Sequence, residues 1–509
     1  MRERTSRFSP SLSTLVRLSV VAVFGLALVA CGSNYHPVTY PVVTAGPAQL
    51  PFAYAFVVSD PATSTLGIGT VIDFSGDTVM ATSPLGTTPV GFAENSGGSL
   101  AWSLDGDGTV ANIPVSPNLQ QKNVQFSTLS PYTGIDPIVN LFSGSLGLYA
   151  LDVNANQVDV LTGAPDAFKL VVPVDESPVT MEGVPLAQRY YTVSQNIPYL
   201  TNITLDGNIV QGGVACNIDP YSTSLPNGTA DGIESSTYTV SSHIQVGVCP
   251  DYAVGSTDAQ RVFVLNRGSD SVSVINSQIN AIDSCTPFYN QNGQLVNCHP
   301  SLPLSPANGM PHAGPVYAEY NAATQQIVVA NYDGDSISII DVSLDEYGND
   351  SPTFGTTFTV PVGHHPASVT VLADGSRAYV ANQSDGTVTI VNMISHSVEK
   401  TLTVNGHPRT VVSILGGTSL YGKVYVASPD SPYITIIRTD QDIVGTSILV
   451  SGNAVDVRIT SPDTINSNLN TVSRLPGAGQ PCNLPPGDFT SSGAPITIQN
   501  CRQQDPTQL

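Results

Sequence analysis

Basic residues are scarce in this chain: 17 Lys and Arg stand against 39 Asp and Glu in 509 residues, for a formal charge of −22. So acidic a chain repels phosphate backbones and anionic headgroups, which argues against nucleic acid as a partner and against membrane binding by charge. Recognisable catalytic motifs are missing too. There is no G-x-S-x-G elbow, no Walker loop and no dinucleotide fingerprint, so neither nucleophilic catalysis nor nucleotide binding finds support. No C-x₂-C spacing occurs, which removes the commonest signature of a structural zinc site. The single tryptophan, Trp102, sits in an alternating strand pattern and is expected to pack between strands rather than stack on a ligand.

The N-terminus is different in kind. Arg2, Arg4, Arg7 and Arg17 precede an uncharged run from Leu18 to Ala30, too short to span a bilayer comfortably, where about 20 residues are needed. Basic residues before a short apolar segment describe a secretory signal peptide. The segment ends in Leu28-Val29-Ala30-Cys31-Gly32, which resembles the lipobox of bacterial lipoproteins. The resemblance implies cleavage before Cys31, lipidation of its thiol and stable anchoring by several acyl chains. Gly32, where an Asp would mark inner-membrane retention, implies the outer membrane of a two-membrane envelope. Removing residues 1–30 takes away four Arg and one Glu, so 17 basic residues become 13, 39 acidic become 38 and the charge moves from −22 to −25.

What remains is rich in Gly, Pro, Val, Thr and Ser and poor in Lys and Glu, the composition of short strands joined by tight turns. Six further cysteines fall into three local pairs, Cys216 with Cys249, Cys285 with Cys298, and Cys482 with Cys501. Six cysteines allow 15 connectivities; proximity favours this one, and disulfides fit an oxidising compartment better than metal ligation does.

A repeat runs along the chain. QRVFVLNRGSDSVSVINS from Gln260, QQIVVANYDGDSISIIDV from Gln325, SRAYVANQSDGTVTIVNM from Ser376 and GKVYVASPDSPYITIIRT from Gly422 align without gaps. Each is an apolar strand, a turn of Asn, Gly, Ser and Asp, and an alternating strand, followed by two further strands. The tetrads Tyr379-Val380-Ala381-Asn382, Val328-Val329-Ala330-Asn331 and Tyr425-Val426-Ala427-Ser428 resemble those of the YVTN-type repeats of bacterial β-propellers. Earlier units are traced by the proline opening the innermost strand: Pro89, Pro137, Pro178, Pro250, Pro315, Pro366 and Pro408, with Ala454 in the next equivalent place.

The expected fold is therefore all-β, a single β-propeller of four-stranded blades. The repeat count gives eight blades, with seven, the commoner number in that family, as the alternative. AVDVRIT from Ala454 reads as an innermost strand awaiting FAYAFVV from Phe52, so the two ends close the ring. Residues 1–30 are the signal peptide, 31–50 a tether, 51–460 the propeller and 461–509 a tail holding the last cysteine pair. The first two cysteine pairs are expected to pin inserted loops.

Turns leading into innermost strands cluster at one mouth of a propeller's channel, and here they carry His312, His364, His365 and His407, with Asp136 as a carboxylate. Converging imidazoles could bind a transition metal, orient a polar ligand or act as acid/base groups. His-Pro is also an ordinary turn dipeptide, and Thr88, Ser177, Cys249 and Gly314 interrupt the set. No cofactor is expected beyond a metal that these imidazoles could hold at the channel mouth. Asp105-Gly106-Asp107-Gly108 and Asp333-Gly334-Asp335 resemble pieces of calcium loops without the remaining ligands, and hairpins want Asp and Gly for backbone reasons. The leading expectation is a non-catalytic envelope lipoprotein that binds another protein, a glycan or a small ligand. The alternatives are an enzyme, similar to propeller lactone hydrolases or metal- or quinone-dependent redox proteins, and a structural component of the cell surface.

Overall fold

The repeat folds into eight four-stranded antiparallel sheets. The computed structural model describes residues 54–460 apart from 62–65, 96–98, 106–108, 129–137, 145–146, 163–166, 185–186, 206–207, 214–215, 217–218, 290–292, 415–417 and positions 88, 117, 308 and 346. The signal peptide, the tether with Cys31, the tail with Cys482 and Cys501, and Asp136 and Asp107 lie outside the described residues. Innermost strands are Pro89–Glu94, Ile138–Gly144, Pro178–Val184, Pro250–Gly255, Pro315–Asn321, Pro366–Val371, Thr410–Ser413 and Asn453–Thr460, heading blades 1 to 8 in that order. Each neighbours the next around a ring, and the strand of blade 8 returns to that of blade 1.

Closure is by both ends of the propeller segment. In blade 8, Tyr54–Asp60 pairs with the innermost Asn453–Thr460, with Val57 opposite Val457, and continues outward to Leu66–Asp73 and Thr78–Thr87. The register puts Ala454 opposite Ser59, the place that Pro366 takes opposite Asn382 in blade 6. Blade 2 departs from the proline rule, because Ile138, not Pro137, occupies that register position opposite Asp152.

Two blades carry the expected insertions. In blade 3 the second strand Arg189–Ser194 and third strand Asn227–Glu234 are separated by a hairpin of Leu200–Leu205 and Asn208–Gly213, and Cys216–Cys249 ties this segment down. In blade 4 the fourth-strand position is shared by Ala281–Ile282 and Ser301–Pro303, around an insertion closed by Cys285–Cys298.

The tetrad residues have physical tasks. Asn382 Nδ2 donates to Thr387 and Thr389 hydroxyls at 3.0 and 2.8 Å, and its Oδ1 accepts the Gly363 amide at 3.2 Å. Asn266 likewise binds Ser273 and the Gly247 amide, and Asn331 binds Ser336 and Ser338. One side chain thus closes its own hairpin and, in blades 4 and 6, holds the turn leading into its blade. The tyrosine works between blades. Tyr191, Tyr379 and Tyr425 donate to Asn280, Asp442 and Asp77 in the third-to-fourth turn of the following blade. All three acceptors have left-handed backbone, with φ of 54°, 51° and 50°, a conformation that Asn and Asp tolerate better than most residues.

The scarce cations are spent on the same seams. Arg189, Arg377 and Lys423 each open a second strand and donate to the carbonyl directly after the third strand of the next blade, Ser277, Thr439 and Phe74. Arg261 also opens a second strand, but reaches blade 5 through the Gly348 carbonyl and the Asp350 carboxylate in its third-to-fourth connection. Between these polar bolts the blade faces are apolar. Trp102, buried as expected, packs with Leu104, Val110, Leu141 and Leu148 between blades 1 and 2. Burying each such large side chain contributes about 1.5–3 kcal/mol.

Candidate functional site

Connections between blades and second-to-third-strand turns share one face of the ring, and the four histidines lie there. Their local structure is set by carboxylates from the turns. Asp270 Oδ1 accepts the amides of Ala313 and Gly314 at 2.8 Å, while its Oδ2 meets His312 Nδ1 at 2.8 Å. Asp385 accepts the His364 amide and Nδ1, both at 2.8 Å, and Asp430 accepts the His407 amide at 2.7 Å and meets its Nδ1 at 2.5 Å. Hydrogen bonding to Asp385 holds the His364 imidazole above its ordinary value, and bonding to Asp430 does the same for His407.

His365 is built differently. It precedes Pro366 with φ of 51°, as Ser177, Cys249 and Gly314 precede their prolines with φ of 58°, 47° and 61°. The backbone there is held by Asp335, which accepts the His365 amide at 3.0 Å. Its ring stacks on Tyr332 at 4.6 Å, and Nδ1 lies 2.6 Å from Ser384 Oγ. The carboxylates of Asp333-Gly334-Asp335 are thus committed to protein partners, Asp335 here and Asp333 to Arg267. Asp105 is held by Ser103 and Thr109.

The blade 3 insertion reaches over this face. Tyr221 stacks on His312 with ring centroids 3.5 Å apart and donates to Asp333 Oδ2 at 2.5 Å. Asp333 also receives two 2.8 Å bonds from buried Arg267, a bidentate pair. Burial opposes charge on Asp333, but Arg267 outweighs it and holds the carboxyl below its usual range. Burial, then Asp333, push the Tyr221 phenol up, so it stays a donor. The segment is fixed at Cys249, beside Pro250, and at Gly268, where a Cβ would fall 2.2 Å from the Pro220 carbonyl oxygen.

Under the mouth, the innermost strands carry charges that composition did not foretell. Glu319 accepts the amide of Val371 in the next blade at 3.0 Å, and Thr370 accepts that of Ser413 at 3.1 Å, so polar side chains cap the open strand edges facing the axis. Glu94 is buried with neither carboxylate oxygen hydrogen-bonded; burial pushes it well up, against the pull of Arg458. Arg458 pairs with Asp456 at 3.2 Å and feels Tyr252 and Tyr317, which stack at 4.8 Å on blades 4 and 5, across the ring.

As for metals, none of His312, His364, His365 or His407 joins a converging ligand set of three among the described residues. Among the described residues such a set is formed instead by Asp175, Asp231 and His243 in and beside blade 3, which sequence reading missed because the three positions lie far apart and share no spacing motif. No helix among the described residues is long and apolar enough to cross a membrane.

No family model matches the chain, and no curated protein matches it. Solved structures do. The dihydro-heme d1 dehydrogenase NirN in complex with DHE aligns over 84% of this chain and 80% of its own, with TM-score 0.51 and 11% identity. Apo AztD from Citrobacter koseri aligns over 80% of this chain and 97% of its own, with TM-score 0.49 and 14% identity. The periplasmic gluconolactonase PpgL of Pseudomonas aeruginosa aligns over 80% and 99%, with TM-score 0.44 and 11% identity. At 11% identity the likeness to NirN speaks for the fold alone.

Proposed function

We propose that the chain is an exported envelope lipoprotein whose propeller is a non-catalytic binding module, taking its ligand on the turn face. The observation that carries this reading is the braced array on that face. His312, His364 and His407 are each oriented by a carboxylate, Tyr221 supplies a flat ring beside His312, and His365 is seated on the buried ring of Tyr332. Rigid polar groups beside aromatic rings, mounted on a stiff scaffold, suit a polar ligand such as a glycan, or a loop of an envelope protein. Two disulfides support an oxidising, extracytoplasmic compartment. Anchoring through a lipid on Cys31, at the outer membrane, completes the reading.

The test has two arms. Mass spectrometry of the membrane fraction is expected to find an acylated Cys31, and Cys31→Ala to release the protein from it. Thermal-shift screening against envelope glycans and polar metabolites, with crosslinking to envelope proteins, is expected to yield a ligand lost in the His365→Ala/His407→Ala double variant. A ligand bound equally by that variant, or none at all, removes the turn face from consideration.

A second reading, a hydrolytic enzyme, draws on the 2.6 Å contact between Ser384 Oγ and His365 Nδ1. It predicts ester or lactone turnover abolished by Ser384→Ala, and active protein from that variant refutes it.

A further inference from the structure

Blade 3 brings three metal-ligating side chains together on its outer half, apart from the turn-face histidines. Asp231 in the third strand is the direct register partner of His243 in the fourth strand, Thr239–Val248. Asp175 lies in the connection from blade 2. Its amide donates to Asp231 Oδ2 at 2.7 Å, which fixes that carboxylate. His243 Nδ1 lies 2.6 Å from Asp231 Oδ1 and 3.3 Å from Asp175 Oδ2, and one donor atom from each residue lies within 4.8 Å of the others.

The second observation concerns Asp231 Oδ1. The residue is fully buried, and this oxygen accepts no hydrogen bond. The contact with His243 is short but out of line for an N–H donor, since Nδ1 meets hydrogen-bond geometry only toward Asp175. A buried carboxylate oxygen whose neighbouring imidazole is close but out of line, and which also faces a second carboxylate, is a costly arrangement as it stands. A cation among the three donor atoms satisfies all of them.

We infer that Asp175, Asp231 and His243 form a binding site for a divalent transition-metal ion, zinc above all. One imidazole and two carboxylates are ordinary zinc donors, and a magnesium or calcium site would be all oxygen. Tetrahedral bonds of about 2.0–2.1 Å set ligand atoms about 3.3 Å apart, the spacing that Asp175 and His243 already have. The Asp231–His243 pair must open by some tenths of an ångström. His243 can supply that movement, because its side chain is 59% exposed while Asp231 is held in the sheet. The same exposure leaves a fourth position to water. Two carboxylates and a neutral imidazole carry two negative charges, which the ion neutralises. The amide of Asp175 orients Asp231 from behind, as partners of metal ligands commonly do.

The experiment uses the mature full-length protein, stripped with chelator in detergent and titrated with Zn²⁺ against a chromophoric competitor. A parallel titration with Co²⁺ reads tetrahedral coordination in the visible spectrum. Wild type is expected to bind one ion per chain, with His243→Ala and Asp231→Asn weakening it by about 100-fold. Circular dichroism of each variant accompanies the titration, and the exposed His243→Ala keeps the test valid should Asp231→Asn misfold. The His365→Ala/His407→Ala variant is expected to bind as wild type does. Zinc held equally by wild type and His243→Ala, or lost only with the turn-face histidines, overturns the assignment, and so does a wild type that binds no ion. Because the site shares no residue with the histidine array of the turn face, its failure leaves the ligand-binding reading intact, and the reverse holds.

Discussion

Glu319 should make this propeller less stable as the solution becomes more basic. Its carboxyl sits among the innermost strands, where burial pushes it from 4.5 up to about 7 despite the Val371 amide, Thr370 and Arg458, which all favour the charged form. The folded state therefore binds this proton more tightly than the unfolded chain. The stabilisation is fully present below pH about 4.5 and is lost as pH rises through about 7. A shift of about 2.5 units corresponds to roughly 3 kcal/mol at pH 8, at 1.36 kcal/mol per unit. Part of the side chain remains accessible from the ring axis, and solvent there reduces the effect to about 2 kcal/mol. The perturbation is Glu319→Gln, which keeps an oxygen for the Val371 amide and removes the titration. The assay is guanidinium denaturation of both proteins at pH 4.5, 6, 7 and 8, with disulfides intact. Midpoints are compared, because a ring of eight blades need not unfold in two states. The variant should gain on wild type by about 2 kcal/mol between pH 4.5 and pH 8. A constant offset reflects the amide itself and is immaterial. A difference between the two proteins that stays flat with pH would falsify the reasoning.

Three further outcomes are expected. Lys423→Met, which removes the 2.6 Å pair with Asp77 and the bond to the Phe74 carbonyl across the blade 7–8 seam, should cost roughly 3 kcal/mol, as breaking a buried pair does; a denaturation midpoint unchanged from wild type contradicts the bolt. NMR titration should place the His364 and His407 imidazoles above the usual 6.5, with Asp385→Asn and Asp430→Asn returning them toward it; with folded values raised, their stabilisation is present below pH 6.5 and lost as pH rises through the folded values. Replacing Cys216 and Cys249 by Ala should raise hydrogen exchange in segment 195–226 while leaving the inner strands of blades 5 to 7 protected, and equal protection in both proteins denies the disulfide its role as a tie.

The turn face was only half legible. Alternation and proline spacing placed His312, His364, His365 and His407 on one mouth, because any repeat that fixes the strand order also fixes which turns share a face. Their partners were not readable, since Asp270, Asp385 and Asp430 look like ordinary hairpin residues and the carboxylates bind the backbone of the turns as well as the imidazoles. Nor did any pattern announce Tyr221, which reaches the mouth from an insertion and finds Asp333 more than a hundred positions away.

What the sequence by itself determined was the unit: a four-strand blade, opened by proline in most copies and counted at eight with seven left open, closed by strands from both ends, with two loops pinned by local cysteine pairs; the structure decided for eight. These are local properties, encoded in period-two alternation, turn residues and short spacings, so they survive without a partner in view. Tertiary structure alone decided how charge is used. Arg189, Arg261, Arg377 and Lys423 look like scattered surface cations until ring geometry sets each against the next blade's turn. Asp175, Asp231 and His243 become neighbours only because two strands pair in register and a connection from blade 2 passes beside them. Pairing and ring closure are long-range events, and a residue's electrostatic partner is set by them rather than by its place in the chain.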